Sequence, residues 1–220
     1  QLTPIETSRA LVDTDRTEDL DACMALLAED DSYEYTVAWV DLLPATGKVG
    51  RSIVTRGRFA RLDELPAAHR GDPLAFVPQS LATVPPVIPI NLANRWRIQA
   101  FNQAWWLRGP AHRRDEIQSI GRFFHPLDGV EHWNRVFGPR GVLQWQIVVP
   151  LGAEEVMRTV ARAFAAARVP SVIGVLKRFG PANPGPLSFP LAGWTLSLDI
   201  PAGSDGAPAL LDRLDEEVAA

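Results

Sequence analysis

Leu143-Gln144-Trp145-Gln146-Ile147-Val148-Val149 is followed by PLGAEEVMRTVARAFAAAR from Pro150 to Arg168, and then by SVIGVLKRF from Ser171 to Phe179. The first run alternates: Leu143, Trp145 and Ile147 take one side of an extended chain, while Gln144 and Gln146 take the other. The second changes period. Val156, Val160 and Phe164 recur at helical spacing, with Arg158 and Arg162 on another face, so Gly152 to Arg168 reads as an amphipathic helix. The third returns to period two, placing Val175, Lys177 and Phe179 on one face. Trp194 to Ile200 reads as a further strand, and Ala207 to Val218 as a closing helix.

The same order occurs earlier in the chain. A strand around Arg9 to Val12 leads to a helix from Thr17 to Glu29, with Thr17 placed to cap it through its side-chain oxygen. Strands follow at Tyr33 to Asp41 and Arg51 to Phe59. Strand, helix, strand, strand thus occurs twice, the order of hairpin-linked antiparallel strands with helices gathered on one side. The expected fold is α+β: a ferredoxin-like antiparallel sheet with helices on one face, built from two βαββ-like halves. Between the halves, Leu65 to Pro89 contains Pro85-Pro86 and Pro89 and reads as an extended surface connection. Asn91 to Arg108 reads as a helix or irregular arm carrying Trp96, Trp105 and Trp106.

Composition narrows the functional classes. The 220 residues are 46% hydrophobic and 22% charged, which suits one folded domain with a substantial core. A net charge of −4 argues against nucleic acid as a main partner, because phosphate neutralisation needs clustered cations. Arg108, His112, Arg113 and Arg114 do cluster, but Asp115 and Glu116 follow at once. This run reads as a solvated loop, with a pyrophosphate or lipid-phosphate contact as the sharper alternative. No apolar run approaches a membrane span, and the chain does not begin as a signal peptide does.

Cys23, the single cysteine, excludes an intrachain disulfide; among Leu20, Met24 and Leu27 it reads as a buried structural thiol. His69, His112, His125 and His132 lack zinc-ligand spacing, so no metal site is expected. No G-x-S-x-G elbow is present for a serine hydrolase.

The segment Phe123 to Phe189 gathers polar and aromatic residues in FFHPLD, EHWNRVFGPRG, LQWQIVV, GVLKRFGP and PLSFP. Gln144 and Gln146 side by side form a hydroxyl-reading platform or, more plainly, a solvent-facing row. Lys177 is a cation among apolar neighbours or the polar row of an edge strand. His125 precedes Pro126, which restricts it toward extended geometry, so FFHPLD makes a turn able to point Phe124, His125 or Leu127 at a ligand. Gly129 to Gly141 has glycine hinges around Glu131-His132-Trp133-Asn134-Arg135, and a mobile lid is expected there.

These runs, with GP-x-G-x-LQ-x-Q, V-x-K-x-FGP and PLSFP-x-x-GW, resemble the decaprenylphosphoryl-ribose oxidases, FAD-linked enzymes of actinobacterial cell-wall arabinan synthesis. They fall in the wider vanillyl-alcohol oxidase and D-arabinono-1,4-lactone oxidase group. Upstream, Tyr35 to Asp41, Gly50 to Gly57 and Asn91 to Asn94 fit the same pattern. The resemblance implies that residues 1–220 are a substrate-binding (cap) domain. The FAD-binding domain and a C-terminal return segment carrying a second lysine would lie outside it. In keeping with that, no phosphate-cradling G-x-G-x-x-G run occurs.

The resemblance further implies oxidation of a sugar hydroxyl to a ketone by hydride transfer to flavin N5, with a polyprenylphosphoryl-ribose-like substrate. The cofactor is FAD, and a partner reductase would convert the ketose into the epimer. By position, Lys177 takes a catalytic role, while Gln144 and Gln146 contact substrate over the flavin. Trp105, Phe124, Leu127, Val175 and Phe179 wall the pocket. Thr195 and Ser197 stand where mycobacterial members have an Asn and then a Cys that covalent nitroaromatic inhibitors attack, and Phe124 stands where a tyrosine is expected. Those departures keep an FAD-dependent aldonolactone or alditol oxidase open as an alternative. A non-enzymatic α+β binding module is the third reading. Attachment to a membrane surface carrying a polyprenyl substrate is compatible with all the motifs.

Overall fold

A computed structural model describes residues 3–29, 32–44, 48–78, 80–86, 94–185 and 191–219. In chain order its elements are β1 (Arg9–Thr17), α1 (Leu20–Ala28), β2 (Tyr35–Asp41), β3 (Arg51–Phe59), α2 (Ala67–Arg70), β4 (Ala82–Thr83), α3 (Arg95–Arg108), β5 (His112–Ser119), α4 (Ile120–Phe124), β6 (Val130–Glu131), β7 (Val142–Pro150), α5 (Glu154–Ala167), β8 (Ile173–Phe179), β9 (Gly193–Pro201) and α6 (Ala207–Ala219). The PLSFP run and Asn91 to Ala93 lie outside the described residues.

The alternation in β7 sets the layering. Trp145 and Ile147 are buried, whereas Gln144 and Gln146 are exposed. Seven strands form one sheet in the order β5-β1-β3-β2-β8-β9-β7, and all the neighbouring pairs are antiparallel. Within it β1-β3-β2 and β7-β9-β8 have the same internal order, each the product of a strand-helix-strand-strand unit. The two units meet along β2 and β8, where Ala38 lies opposite Leu176 and Trp39 opposite Val175.

One face of the sheet carries the main core. Leu20, Cys23, Met24 and Leu27 of α1 join Met157, Val160, Ala161 and Phe164 of α5 and Leu210 and Leu214 of α6 over Val54, Val40, Leu176, Leu196, Leu198 and Ile200. Phe164 is fully buried, and full burial of such a side chain contributes about 1.5–3 kcal/mol. Two indoles tie helices to strands: Trp194 Nε1 donates to Glu154 at 3.0 Å and Trp145 Nε1 to Asp215 at 2.8 Å.

β1 extends to Thr17, beyond the expected end at Val12, so Thr17 is a strand residue. Asp19 caps α1 instead, its carboxylate accepting from Ala22 N at 2.8 Å. The charged run His112 to Glu116, expected as a loop, lies in edge strand β5, paired to β1 across an irregularity between Val12 and Thr14. Asp115 adopts a left-handed φ of 54° there. Polar bonds hold this edge: Asp15 accepts from Arg56 at 2.6 Å and Arg114 at 2.8 Å, and pairs with His112 Nδ1 at 2.8 Å.

Among the described residues, α3 and α4 cover two ends of the other face of the sheet. At one end α3 is seated by polar anchors. Asn102, 1% exposed, donates to Asp41 at 2.9 Å, and Trp106 Nε1 donates to Thr17 O at 3.1 Å. Arg51 forks onto the same Asp41 through Nε at 3.0 Å and Nη2 at 2.8 Å. At the opposite end α4 presses Phe123 onto Ala10 and Val12. Glycine is required beneath it, since a Cβ at Gly57 would stand 2.9 Å from the Phe123 ring. The expected α+β sheet with helices on one face is therefore present, with α3 and α4 added over the ends of the second face.

Candidate functional site

Register across β7, β9 and β8 decides which side chains share the second face. Gln144 lies opposite Asp199 and Gln146 opposite Ser197. Asp199 lies opposite Ile173, Ser197 opposite Val175, and Thr195 opposite Lys177. Because side chains alternate with period two, all of these point away from the helical core. The fold thus assembles Gln144, Gln146, Thr195, Ser197, Val175, Lys177 and Phe179 on three adjacent strands, though they span more than fifty positions of sequence.

Hydrogen bonds cross these strands. Gln146 Nε2 donates to Thr195 Oγ1 at 3.0 Å, and Gln144 Nε2 donates to Asp199 Oδ1 at 3.0 Å. Thr195 and Asp199 are buried, at 3% and 6% exposure, while both glutamines and Lys177 face out. Asp199 was not among the residues singled out from the sequence. Burial pushes its carboxyl above the ordinary carboxylate range, and the Gln144 N–H works against that rise. Lys177 supplies the cation of this patch, Asp199 its carboxyl, and Val175 an apolar floor.

The remaining expected residues stand around this patch. Tyr35 is on the same face and lies toward the Phe179 end of β8, as the antiparallel pairing of Trp39 with Val175 requires. Phe124 packs edge-on to Tyr35 at 4.8 Å and beside Phe59 at 5.7 Å, so it anchors an aromatic cluster at that margin. His125 and Leu127 follow it in an exposed turn, Leu127 being 38% exposed. Trp105 lies on α3 at the other margin, 49% exposed and stacked on Phe101 with ring centres 6.1 Å apart. The fold therefore joins the strand residues directly and places Phe124, His125, Leu127 and Trp105 on elements at the rim.

The segment 129–141 carries structure of its own. β4 and β6 pair through Ala82 with Val130 and Thr83 with Glu131, and Arg135 donates to Val84 O at 2.9 Å. Gly138 and Gly141 take left-handed φ values of 71° and 76°, as hinge positions can.

A cavity of about 470 Å³ is lined by Leu43, Pro44, Val49, Arg95, Trp96, Gln99, Ala165 and Arg168. None of those belongs to the patch on β7, β9 and β8. That patch is an open surface, and a second surface laid over it would complete an enclosed site. Its donors and acceptors suit a polyhydroxylated ligand: amides, hydroxyls, one ammonium and one carboxyl. Among the described residues it presents no glycine-rich cradle of the kind that holds a dinucleotide's phosphates. Among the described residues no group of three or more His, Cys, Asp or Glu could hold a metal ion. None of the described helices is long and apolar enough to cross a membrane.

Comparison with known proteins bears out the resemblance carried by the motifs. No protein-family model matches the chain. Over 99% of its length it is 35% identical to decaprenylphosphoryl-beta-D-ribose oxidase of Mycolicibacterium smegmatis, of which the match covers 47%. Over its whole length it is 36% identical to a Streptomyces coelicolor protein known as "Uncharacterized protein in mprA 5'region", of which the match covers 61%. The chain is akin to one part of an oxidase of the decaprenylphosphoryl-ribose type and spans about half the length of that relative.

Proposed function

We propose that this chain is the substrate-binding part of an FAD-dependent oxidoreductase that oxidises a sugar hydroxyl to a ketone, with a polyprenylphosphoryl-ribose as substrate. The observation that carries the reading is the open polar patch of Gln144, Gln146, Lys177, Thr195 and Ser197 in a chain akin to such an oxidase along 99% of its length. The remainder of the protein would hold FAD and close over the patch.

A flavin, when bound, supplies the acceptor for a hydride leaving the carbinol carbon. The residues of this chain bind and orient the sugar and exclude water. Gln144 and Gln146 contact hydroxyls. The Lys177 ammonium lies beside Thr195 and stabilises negative charge developing on the substrate oxygen as its proton departs. The hydroxyl loses that proton to a base, the carbon loses hydride, and a ketone remains. Val175 and Phe179 give the sugar an apolar face, while Trp105, Phe124, His125 and Leu127 at the rim meet the substrate's prenyl phosphate arm.

The deciding experiment records flavin absorbance of the full-length protein with polyprenylphosphoryl-ribose, aldonolactones and alditols. Bleaching by the ribose lipid alone is expected. Lys177→Met is expected to lower kcat about 10²–10³-fold, the cost of removing one charge-stabilising donor. Bleaching by a free lactone or alditol would instead support the second reading, which Thr195, Ser197 and Phe124 motivate. A full-length protein without flavin would overturn both. The ketose product would pass to a partner reductase, which returns it to an alcohol with a hydride from its own reduced nicotinamide cofactor.

A further inference from the structure

Asp199 is a buried carboxyl with no cationic partner among the described residues. Every other acidic side chain buried to 9% exposure or less has one or a hydroxyl donor: Asp41 takes Arg51, Asp15 takes Arg56, Arg114 and His112, and Asp13 accepts from the Tyr33 hydroxyl. At Asp199 the described hydrogen-bond partner is Gln144 Nε2, 3.0 Å away. An unpaired carboxylate is costly to bury, so a fold indifferent to the group would be better served by an amide or an alcohol there. Leu198 and Ile200, its neighbours in β9, are fully buried on the opposite face, which holds the strand rigid beneath it.

An ionised carboxylate can only accept hydrogen bonds, whereas a glutamine amide has one donating and one accepting end. Asp199 must therefore engage the nitrogen of Gln144, which leaves the Oε1 carbonyl for the open face. Thr195 imposes no such rule on Gln146, because a hydroxyl both donates and accepts. The two amides of the platform differ: one has a fixed polarity, and the other can turn to suit its ligand.

We propose that Asp199 is a positioning residue that fixes the polarity of Gln144, so that the site recognises a sugar by accepting a hydrogen bond from one of its hydroxyls at this position. The proposal rests on the reading of the patch as the substrate side of an oxidase. It predicts that Asp199 acts on substrate affinity through Gln144 and leaves the chemical step alone.

The test uses the full-length flavoprotein and farnesylphosphoryl-ribose, with its 3-deoxy and 5-deoxy analogues. Asp199→Asn removes the charge at constant shape; KM is expected to rise about three- to tenfold, with kcat within about twofold of wild type. Discrimination against one of the two deoxy analogues should fall by the same factor. Gln144→Ala should raise KM similarly, and Asp199→Asn added to it should cause no further rise, which a merely structural role would not produce. Asp199→Ser, which loses the charge with less bulk, should reproduce the KM change if Asp199→Asn fails to fold. An unchanged KM in the Asp199 variants, or additive effects in the double variant, would overturn the proposal. Wild-type protein that holds flavin without bleaching would instead sink the oxidase reading. The same cycle, read as the dissociation constant of the lipid by tryptophan fluorescence, then decides on Asp199, and absence of binding overturns both.

Discussion

Replacing Asp41 by alanine tests how the open face of the sheet is bounded. Its carboxylate is fully buried and accepts four hydrogen bonds: Arg51 Nε at 3.0 Å, Arg51 Nη2 at 2.8 Å, Leu43 N at 2.9 Å and Asn102 Nδ2 at 2.9 Å. Removing one partner of a buried ion pair costs about 3–5 kcal/mol, because the other charge is left without compensation. Arg51 would retain Gln103 Oε1 at 2.6 Å and the Trp106 ring 5.2 Å from its guanidinium carbon, which points to the lower end. The expected loss is about 3 kcal/mol, a large share of the roughly 5–15 kcal/mol that stabilises a typical domain. Urea unfolding followed by circular dichroism measures it. Because Asn102 seats α3 on Asp41, trypsin should also cleave faster at Arg95, Arg97 and Arg108 under native conditions. Asp41→Asn, which keeps one acceptor oxygen, should lose about half as much. A loss below about 1 kcal/mol for Asp41→Ala, with unchanged proteolysis, would refute the idea that this network holds α3 on the sheet.

Further expectations concern acid stability, thiol chemistry and packing. A hydrogen bond from Arg58 holds the Glu64 carboxyl down to about 2 from an ordinary 4.5. The stabilisation it gives is fully present above 4.5 and is lost as pH falls toward 2, so Glu64→Gln should flatten the acid limb of urea stability over that window. Burial raises the Cys23 thiol to about 12, so a disulfide reagent should modify it only as fast as the protein opens. A Cβ at Gly193 would lie 2.2 Å from Val149 O, backbone against backbone, and Gly193→Ala should destabilise by about 1–3 kcal/mol in the same titration. On the proposed oxidase reading, Ser197 bears a hydroxyl where a thiol would be needed, so mass spectrometry of the full-length protein should show no adduct after turnover with a nitroaromatic inhibitor. Ser197→Cys should acquire one.

Period was the part of the fold most legible in the sequence. Gln144 and Gln146 alternate with Trp145 and Ile147, the helical repeat of Val160 and Phe164 buries both along α5, and β2, β3, β7, β8 and β9 fall within two residues of where these patterns place them, whereas β1 runs five residues past its expected end. β5 escaped that logic because HRRDE has no apolar row; its strand is held by Arg114 and His112 reaching Asp15, partners roughly a hundred positions away. α3 was ambiguous for a related reason, since its buried anchors are one isoleucine, one asparagine and one indole, not a continuous apolar stripe. Asp199 could have been found, for Thr195, Ser197 and Asp199 alternate with Trp194, Leu196, Leu198 and Ile200 as plainly as the glutamines do. What local sequence could not supply was register, and register alone sets Asp199 against Gln144.

The matching order of the two halves hides a difference in use. On the outer face of the first half, α3 and α4 occupy both ends of β1, β3 and β2, whereas in the second half β7, β9 and β8 carry the amides, hydroxyls, lysine and carboxyl. On the proposed function, one half is a frame and the other a reading surface. Substitutions on the strands of the second half would then retune which hydroxyl pattern is accepted, while changes in α3 and α4 would alter how bulky an appendage reaches it. Recognition and access would be carried by separate stretches of chain, so that each could drift without rewriting the other.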